Sequence, residues 1–237
     1  MFLLFLLHYT QAMTFHVITL FPKAFTSYLG ESIIARAIRD KKIAVLFYNP
    51  RDYTTDKWSR VDRKPYGGGP GMVLEAPAFV KAIEAAQKKA GGRARVIIFS
   101  ASGKEFTNGH AKILSRGKRD IILVCGRYEG IDARVKKIFK ATEVSVGPYI
   151  LTGGELPAEI VIDAVSRQIK GVLGNFDSVE ERRISTSEVY TRPEFFTYKG
   201  KKYNVPKVLL SGHHARMDDW KQGKRQKEQK EQKEIGK

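Results

Sequence analysis

The chain has 237 residues, of which 42% are apolar, so it is long enough for one large domain with a substantial core, or for one domain plus a smaller one. Its formal net charge of +17 favours a polyanionic partner, nucleic acid first and an acidic membrane surface second. A single cysteine, Cys125, excludes an internal disulfide framework and a cysteine-based zinc site, and five scattered histidines give no convincing metal site.

The first seven residues, MFLLFLL, are apolar but do not make a complete targeting signal. No basic residue precedes them, and a membrane span needs about 20 apolar residues. A strand-like sequence then begins at Met13. We therefore interpret residues 1–12 as an extension upstream of a start at Met13, and we expect a cytoplasmic protein with no membrane partner.

From Met13 onward, strand signals alternate with helix signals. Apolar runs typical of strands occur at residues 15–21, 43–48, 95–100, 121–125 and 143–146. Helical patterns occur at residues 32–41, 76–90 and 106–116, and again after Gly154. This order predicts one α/β domain with a mostly parallel sheet over the ~160 residues after Met13. Cys125 ends one of the apolar runs, which favours packing over nucleophilic chemistry.

Three loops that contain glycine follow predicted strands, at residues 100–103, 125–130 and 147–154. The carboxyl ends of parallel strands meet at one edge of a sheet, so these loops are expected to hold a single ligand. After the third loop, Pro157 suits a first helical turn. Helical spacing then predicts a buried face made of Leu156, Ile160, Val161, Ala164 and Val165.

A long polar loop at residues 51–71 contains three consecutive glycines, and its length favours a functional role. It is not a phosphate-binding Walker loop, because the Gly-Lys-Ser/Thr ending is missing. Two interpretations stay open on these residues alone. One is a mobile loop that carries Asp62, Arg63, Lys64 and Tyr66 near a substrate, and the other is a plain surface loop.

The composition changes after Gly174. Residues 175–189 are polar and charge-mixed, typical of a linker or an active-site lid, and a smaller unit with restored apolar content follows. The tail from Lys221 has seven basic and three acidic residues, so its net +4 leaves +13 on the rest of the chain. We expect this tail to be a solvated helix rather than a specific RNA-binding arm.

Arg167, near the end of the helix that follows Gly154, has two possible roles. It can form an ordinary i,i+4 ion pair with Asp163, or it can direct a cation at a ligand from the helix terminus. The residues alone favour the ion pair.

Seven short motifs occur in order between about Met13 and Trp220. They are TLFP at 19–22, PYGGGPGM at 65–72, CGRYEGID at 125–132, LTGGELP at 151–157, GVLG at 171–174, YTRP at 190–193 and LLSGHH at 209–214. Each motif is weak alone, but the collinear set is specific. On these motifs the chain resembles the bacterial tRNA (guanine-37-N1)-methyltransferases, the TrmD type of the SPOUT class.

The resemblance implies an α/β fold whose mostly parallel sheet carries a deep trefoil knot in its C-terminal half, plus a small, mainly helical C-terminal domain. The implied bounds are 13–173 for the knotted methyltransferase domain, 174–189 for the flexible linker or lid, and 190–237 for a tRNA-binding unit with its charged tail. It also implies S-adenosyl-L-methionine as methyl donor, tRNA as substrate, and a homodimer in which each active site is built from two chains.

The resemblance further assigns site residues. The cofactor pocket is implied to consist of Ser100, Ala101, Gly126, Glu129, Val146, Gly147, Tyr149, Leu151, Gly153, Gly154 and Pro157. Contacts to the target guanine are implied for Tyr66, Gly67, Gly68, Gly69 and Arg127. Arg167 matches the family's catalytic arginine, which would stabilise negative charge on guanine O6, and this overrides the plain ion pair with Asp163. Magnesium is expected to bind together with RNA phosphates and not at a dedicated protein site.

The chain departs from the family most sharply at the general base. The family aspartate that follows Ser178-Val179-Glu180-Glu181 is replaced here by Arg182. We expect Glu181 to take the catalytic role, or Glu180 if the register shifts by one residue. Loop 100–103 lacks the family's proline and glutamine, and the linker is shorter.

The tail is a Lys/Glu/Gln run in place of the family's Arg-rich, Leu-containing last helix. We expect such a unit to bind tRNA more weakly and to depend on Lys199, Lys201, Lys202 and the tail for phosphate contacts, with a steep salt dependence. Two other functions stay open on the sequence. One is a knotted methyltransferase of other specificity, and the other is a non-catalytic RNA-binding relative.

Overall fold

The computed structural model describes residues 13–117, 119–174 and 188–235, with side chains as far as residue 224. Nine strands and eight α-helices are described. The strands are β1 Met13–Ile18, β2 Ile43–Tyr48, β3 Asp62–Arg63, β4 Val73–Leu74, β5 Arg95–Glu105, β6 Ile121–Val124, β7 Thr142–Ser145, β8 Phe195–Tyr198 and β9 Lys201–Asn204. The helices are α1 Thr26–Leu29, α2 Ser32–Arg39, α3 Ala76–Lys89, α4 Asn108–Arg116, α5 Ala133–Phe139, α6 Glu155–Ser166, α7 Lys207–Leu210 and α8 His214–Ile235.

The chain divides after Gly174 into two compact units. In the first unit, five strands form a sheet in the order β2-β1-β6-β5-β7, and all four neighbouring pairs are parallel. The predicted α/β class with a parallel sheet is confirmed. None of the described helices combines the length and the apolar character that crossing a bilayer requires.

The sheet is buried on both faces, as parallel sheets with crossover helices require. Strand β6 shows this directly, because Ile121 and Leu123 enter one core cluster while Ile122 and Val124 enter the other. Helices α2, α4 and α6 contribute to the first cluster, and helices α3 and α5 contribute to the second. This continuous burial explains why the strands are apolar runs instead of alternating patterns.

Helix α6 packs on the sheet through a stripe at positions i, i+3, i+4 and i+7, namely Ala158, Val161, Ile162 and Val165, each with no exposed surface. The predicted buried face was therefore wrong for two residues. Leu156 is 59% exposed and Ile160 is 41% exposed. At about 100° per residue these two side chains lie on the outer side of the helix, opposite the stripe that contacts the sheet.

The prediction that residues 100–103 form a turn from a strand to a helix is also wrong. Strand β5 continues to Glu105, and its pairing with β7 is interrupted only between Phe99 and Lys104. Gly103 allows the strand to return against β7, since a Cβ there would lie 2.6 Å from the Val144 backbone nitrogen. Residues 100–103 are thus a bulge in β5, at the point where β5 pairs with the edge strand β7.

The second unit contains the antiparallel pair β8–β9 and the helices α7 and α8. It is mainly helical, as predicted, and the charged tail is helical as far as Ile235. Within this unit Tyr190 packs against Trp220, with ring centroids 6.4 Å apart, and Lys224 donates to Glu188 at 2.6 Å.

His16 provides a test of the sheet's packing. It is fully buried in β1, with Nδ1 2.9 Å from the Tyr48 hydroxyl and Nε2 3.3 Å from Asp120 Oδ2. Burial lowers the pKa of His16 despite the opposing effect of Asp120. Because the unfolded chain then binds protons more readily, the free energy of unfolding should fall as the pH drops below about 6.5.

We expect His16→Gln to lose this part of the pH dependence. Urea unfolding of both proteins at pH 7.5 and pH 5.5 measures it. If the wild type and the variant lost the same unfolding free energy between pH 7.5 and pH 5.5, His16 would not be the source of this pH dependence.

Candidate active site

A pocket of about 230 Å³ lies at the carboxyl ends of β6 and β7 and beside the bulge of β5. It is lined by all eleven residues that the resemblance assigns to the cofactor. The remaining lining residues are Phe99, Arg127, Tyr128, Gly130, Val144, Ser145, Ile150 and Thr152. The parallel sheet brings these segments together, because strand ends that follow the same direction open at the same edge. Cofactor contact by the eleven stays a prediction.

Two loops of the pocket pack backbone against backbone. The Gly154 amide donates to the Gly126 carbonyl at 3.0 Å. A Cβ on Gly154 would lie 2.6 Å from the Cys125 Cα and 3.0 Å from the Gly126 nitrogen. Only glycine allows this approach, so Gly154 fixes the distance between the loop that follows β6 and the start of α6.

An ion pair closes the same contact on its outer side. Arg127 Nη2 lies 3.0 Å from Glu155 Oε2, and Glu155 is only 5% exposed. The other carboxylate oxygen of Glu155 accepts a hydrogen bond from the Thr19 hydroxyl at 2.8 Å. Glu155 is also in the first turn of α6, where the helix dipole favours a negative charge. Three separate segments of chain therefore meet at one carboxylate.

Arg127 is held on several sides. Its guanidinium carbon lies 4.6 Å from the centre of the Phe21 ring, and Nη1 donates to the Thr152 carbonyl at 3.4 Å. Its side chain is 27% exposed. The structure thus places Arg127 in the pocket wall as the clamp between two loops. Contact between Arg127 and the substrate stays a prediction.

Sequence reasoning missed Glu155 and Thr19 as site-forming residues. The signal was present in the motif LTGGELP, where a carboxylate directly follows two glycines at a helix start. An acidic residue there is also explained by the helix dipole alone. Its partners Arg127 and Thr19 are 28 and 136 positions away along the chain, so local pattern could not identify them.

The loop after β7 folds over itself at the pocket's rim. The Tyr149 hydroxyl donates to the Val146 carbonyl at 3.1 Å, and the Ser145 hydroxyl donates to the Gly147 carbonyl at 2.9 Å. The Tyr149 ring lies against Gly147, where any Cβ would collide with it. Tyr149 is 51% exposed and Leu151 is 37% exposed, so this rim presents apolar surface to a ligand.

The glycine loop predicted to enclose a guanine lies outside the pocket lining. Tyr66 is fully exposed, and Gly67, Gly68 and Gly69 all have positive φ angles with open space around them. The end of this loop is anchored to the pocket, since the Glu129 amide donates to the Met72 carbonyl at 3.1 Å. The loop is therefore attached at its base to a pocket residue, while its tip is exposed.

The predicted catalytic residue Arg167 does not line this pocket. Arg167 caps the carboxyl end of α6, whereas the pocket lies at the amino end, about 15 Å away by the helical rise from Pro157. Asp163, its expected ion-pair partner, accepts a hydrogen bond from the Tyr28 hydroxyl at 2.5 Å, which raises the pKa of Tyr28 to about 12. Glu181 lies outside the described residues.

Cys125 lies directly behind the pocket and is fully buried. Burial raises the pKa of its thiol, which disfavours the nucleophilic thiolate. This agrees with the packing role predicted from sequence. Among the described residues there is also no group of three or more acidic, histidine or cysteine side chains that could hold a metal ion.

Comparisons with known proteins identify the relatives of this chain. A family model described as tRNA (Guanine-1)-methyltransferase TrmD matches residues 13–235. A tRNA (guanine-N(1)-)-methyltransferase of Thermomicrobium roseum is 46% identical over 213 residues, which are 89% of this chain and 78% of the relative. One of Pseudoalteromonas atlantica is 44% identical over 87% of this chain and 78% of the relative.

A solved structure is similar as well. The crystal structure of tRNA (m1G37) methyltransferase from Aquifex aeolicus superposes with a TM-score of 0.73 at 38% sequence identity. The match covers 89% of this chain and 88% of that one.

The close approach at Gly154 yields a prediction. Gly154→Ala should weaken S-adenosylmethionine binding by about tenfold or more, because overpacking a tight contact costs about 1–3 kcal/mol and would separate the two loops. Isothermal titration calorimetry measures the affinity. Gly109→Ala is the matched control, since a Cβ at that helical position meets nothing closer than 3.6 Å. An unchanged affinity in Gly154→Ala would contradict the role of the loop contact.

Proposed function

The chain belongs to the tRNA (guanine-1)-methyltransferase TrmD family, and on this premise we propose that it transfers the methyl group of S-adenosyl-L-methionine to N1 of guanosine 37 in tRNA. One observation carries the proposal to the level of residues. The eleven positions that the family resemblance assigns to the cofactor come from three separate segments, and all eleven line one pocket.

The walls of the pocket suit this cofactor. The glycines at 126, 147, 153 and 154 line the pocket without side chains, so the adenine and ribose would approach the backbone closely. Leu151, Val146 and Pro157 supply apolar contacts for the adenine ring, and the carboxylate of Glu129 would face the amino group of the methionine moiety. When bound, the cofactor supplies an electrophilic methyl group on a positively charged sulfur.

The residues of the chain must then align guanine and manage its charge. Methylation at N1 requires removal of the N1 proton, and negative charge develops on O6 as this occurs. Arg167 would stabilise that charge through its guanidinium group. We propose Glu181 as the group that accepts the proton, since Arg182 replaces the family aspartate. Tyr66, the glycines at 67–69 and Arg127 would enclose the base and hold its plane.

We propose a homodimer with shared active sites, and the geometry of α6 supports it. Arg167 lies about 15 Å from its own chain's pocket, too far for its side chain to reach the methyl group there. At 100° per residue Arg167 lies on the same outer face as Leu156 and Ile160. An exposed leucine and isoleucine on a helix favour burial against another surface, and a second copy of this chain would bring Arg167 to the partner's pocket.

The remaining parts of the proposal concern the knot and the RNA. The family resemblance and the similarity to the Aquifex aeolicus structure support a trefoil knot in the C-terminal half of the domain at 13–173. The unit from residue 190 would grip tRNA through Lys199, Lys201 and Lys202, joined to the first domain by the linker at 174–189. Magnesium would bind through RNA phosphates, since no cluster of metal ligands occurs among the described residues.

A test of Arg167 bears on both the chemistry and the shared site. Arg167→Ala should lower the single-turnover rate of methyl transfer to a tRNA transcript by about 100-fold or more, the usual cost of removing one oxyanion donor. Binding of S-adenosylmethionine without tRNA should be unchanged, because the proposed role of the arginine is to stabilise charge on guanine O6 and not to hold the cofactor. Arg167→Lys, which keeps the charge, should recover part of the rate.

A transfer rate near wild type in Arg167→Ala would exclude this residue from the mechanism. If the wild type bound cofactor and tRNA but transferred no methyl group, the chain would be the non-catalytic relative.

The general base is tested by two adjacent glutamates. Glu181→Gln should lower the rate at neutral pH by about 100-fold, within the usual range for a lost general base, while Glu180→Gln should act nearly as wild type. The comparison uses single-turnover rates with saturating tRNA, so that altered affinity does not enter. The opposite ranking would assign the role to Glu180, and two unaffected variants would remove both glutamates from the mechanism.

A further inference from the structure

The second unit carries a hairpin whose surface is aromatic and basic. We call the segment formed by β8, β9 and their turn, residues 195–204, the aromatic hairpin. All eight strand residues are exposed. Three of its rings, Phe196, Tyr198 and Tyr203, are 58%, 57% and 42% exposed. A two-stranded hairpin with both faces in water is only marginally stable, so packing within the fold does not account for this composition.

The register places the three rings on one face. Phe196 pairs directly with Tyr203, and their rings are stacked with centroids 5.5 Å apart and an angle of 15° between their planes. Tyr198 is two residues after Phe196, so its side chain points to the same side of the strand. The hairpin therefore presents a stacked, nearly parallel pair of rings with a third ring beside it.

The charged residues of the hairpin itself are all lysines. Lys199, Lys201 and Lys202 belong to the hairpin, and no acidic residue occurs between 195 and 204. The Lys201 amine lies 5.4 Å from the centre of the Tyr203 ring, and the Lys199 amine lies 5.4 Å from the centre of the Tyr198 ring. The turn that carries Lys199 adopts positive φ at Lys199 and Gly200, which projects this lysine at the tip.

This combination matches the chemistry of unpaired nucleotides. A base offers a flat apolar face for stacking on an aromatic ring, and its phosphates are negative charges a few ångströms away. Double-stranded RNA keeps its base faces covered, so it would use the lysines but leave the rings in water. The exposed stacked pair is thus complementary in shape and in charge to single-stranded RNA.

We propose that the aromatic hairpin binds unpaired bases of the RNA substrate by stacking on Phe196 and Tyr203, while Lys199 and Lys201 contact the flanking phosphates. The identification of that RNA as tRNA rests on the proposed function. The stacking itself does not, because it follows from the rings, their register and the surrounding charges. The methyl-transfer residues lie elsewhere in the chain, so the hairpin contributes affinity and positioning, not chemistry.

The first test separates an aromatic ring from mere apolar bulk. Tyr203→Leu and Phe196→Leu should each weaken binding of the full chain to an unmodified tRNA transcript by roughly tenfold, the usual loss for one stacked base. Tyr203→Phe, which keeps the ring, should bind nearly as wild type. Thr197→Ala, on the opposite face of the same hairpin, is the control for hairpin folding and should also bind as wild type. Fluorescence anisotropy with labelled tRNA measures all four.

The second test separates stacking from charge. Lys201→Gln should reduce the slope of log affinity against log salt concentration by about 0.7 to 0.9, as expected for one lost phosphate contact. Phe196→Leu should lower the affinity at every salt concentration and leave the slope unchanged.

A third measurement needs no variant. A 2-aminopurine base at an unpaired position of the RNA should lose fluorescence when it stacks on the wild-type hairpin.

The proposal is overturned if both leucine variants bind tRNA as tightly as wild type, or if 2-aminopurine shows no change at any unpaired position outside the target site. Binding is measured without methyl transfer, so a protein that fails to methylate guanosine 37 still reports on the hairpin. Conversely, leucine variants that methylate normally at saturating tRNA but bind weakly would support both proposals.

Discussion

The buried ion pair between Arg127 and Glu155 is the contact on which the geometry of the candidate active site depends. Glu155 begins α6, Arg127 belongs to the loop after β6, and Thr19 at the end of β1 donates to the same carboxylate. Removing the carboxylate would leave a partly buried guanidinium without its counter-ion, which typically costs several kcal/mol in such sites. The close backbone contact at Gly154 fixes the same distance by sterics. Charge and shape therefore specify one arrangement of the pocket.

Helix α6 connects the pocket to Arg167, the proposed catalytic arginine. Its first turn forms part of the pocket, its inner stripe packs on the sheet, and its outer face carries Leu156, Ile160 and finally Arg167. A rigid helix holds the pocket and the arginine about 15 Å apart by the helical rise, so in the proposed mechanism each arginine would act on a methyl group bound by another chain. In a dimer, the α6 helix of each chain would place its arginine in the active site of the partner.

The sequence was sufficient for the fold class, because strands buried on both faces are apolar runs and the crossover helices have their own period. It also identified the loops after β6 and β7, since glycines directly after a buried strand are typical of tight turns and ligand contacts. Periodicity could not assign the outer residues Leu156 and Ile160, because it reports which positions are apolar and not what covers them. The bulge of β5 resembled a loop in the sequence because a glycine after an apolar run is typical of turns. In the structure Gly103 instead allows close contact with strand β7. Glu155 was missed since its partners are distant in sequence.

The central claim is that this pocket serves N1 methylation of guanosine 37 in tRNA. The most direct measurement incubates the protein with S-adenosylmethionine and an unmodified tRNA transcript, digests the product with nucleases and locates the new methyl group by mass spectrometry. We expect one N1-methylguanosine at position 37 and no methylation of a transcript with adenosine there. A methyl group at another position, on ribose or on another base would contradict it.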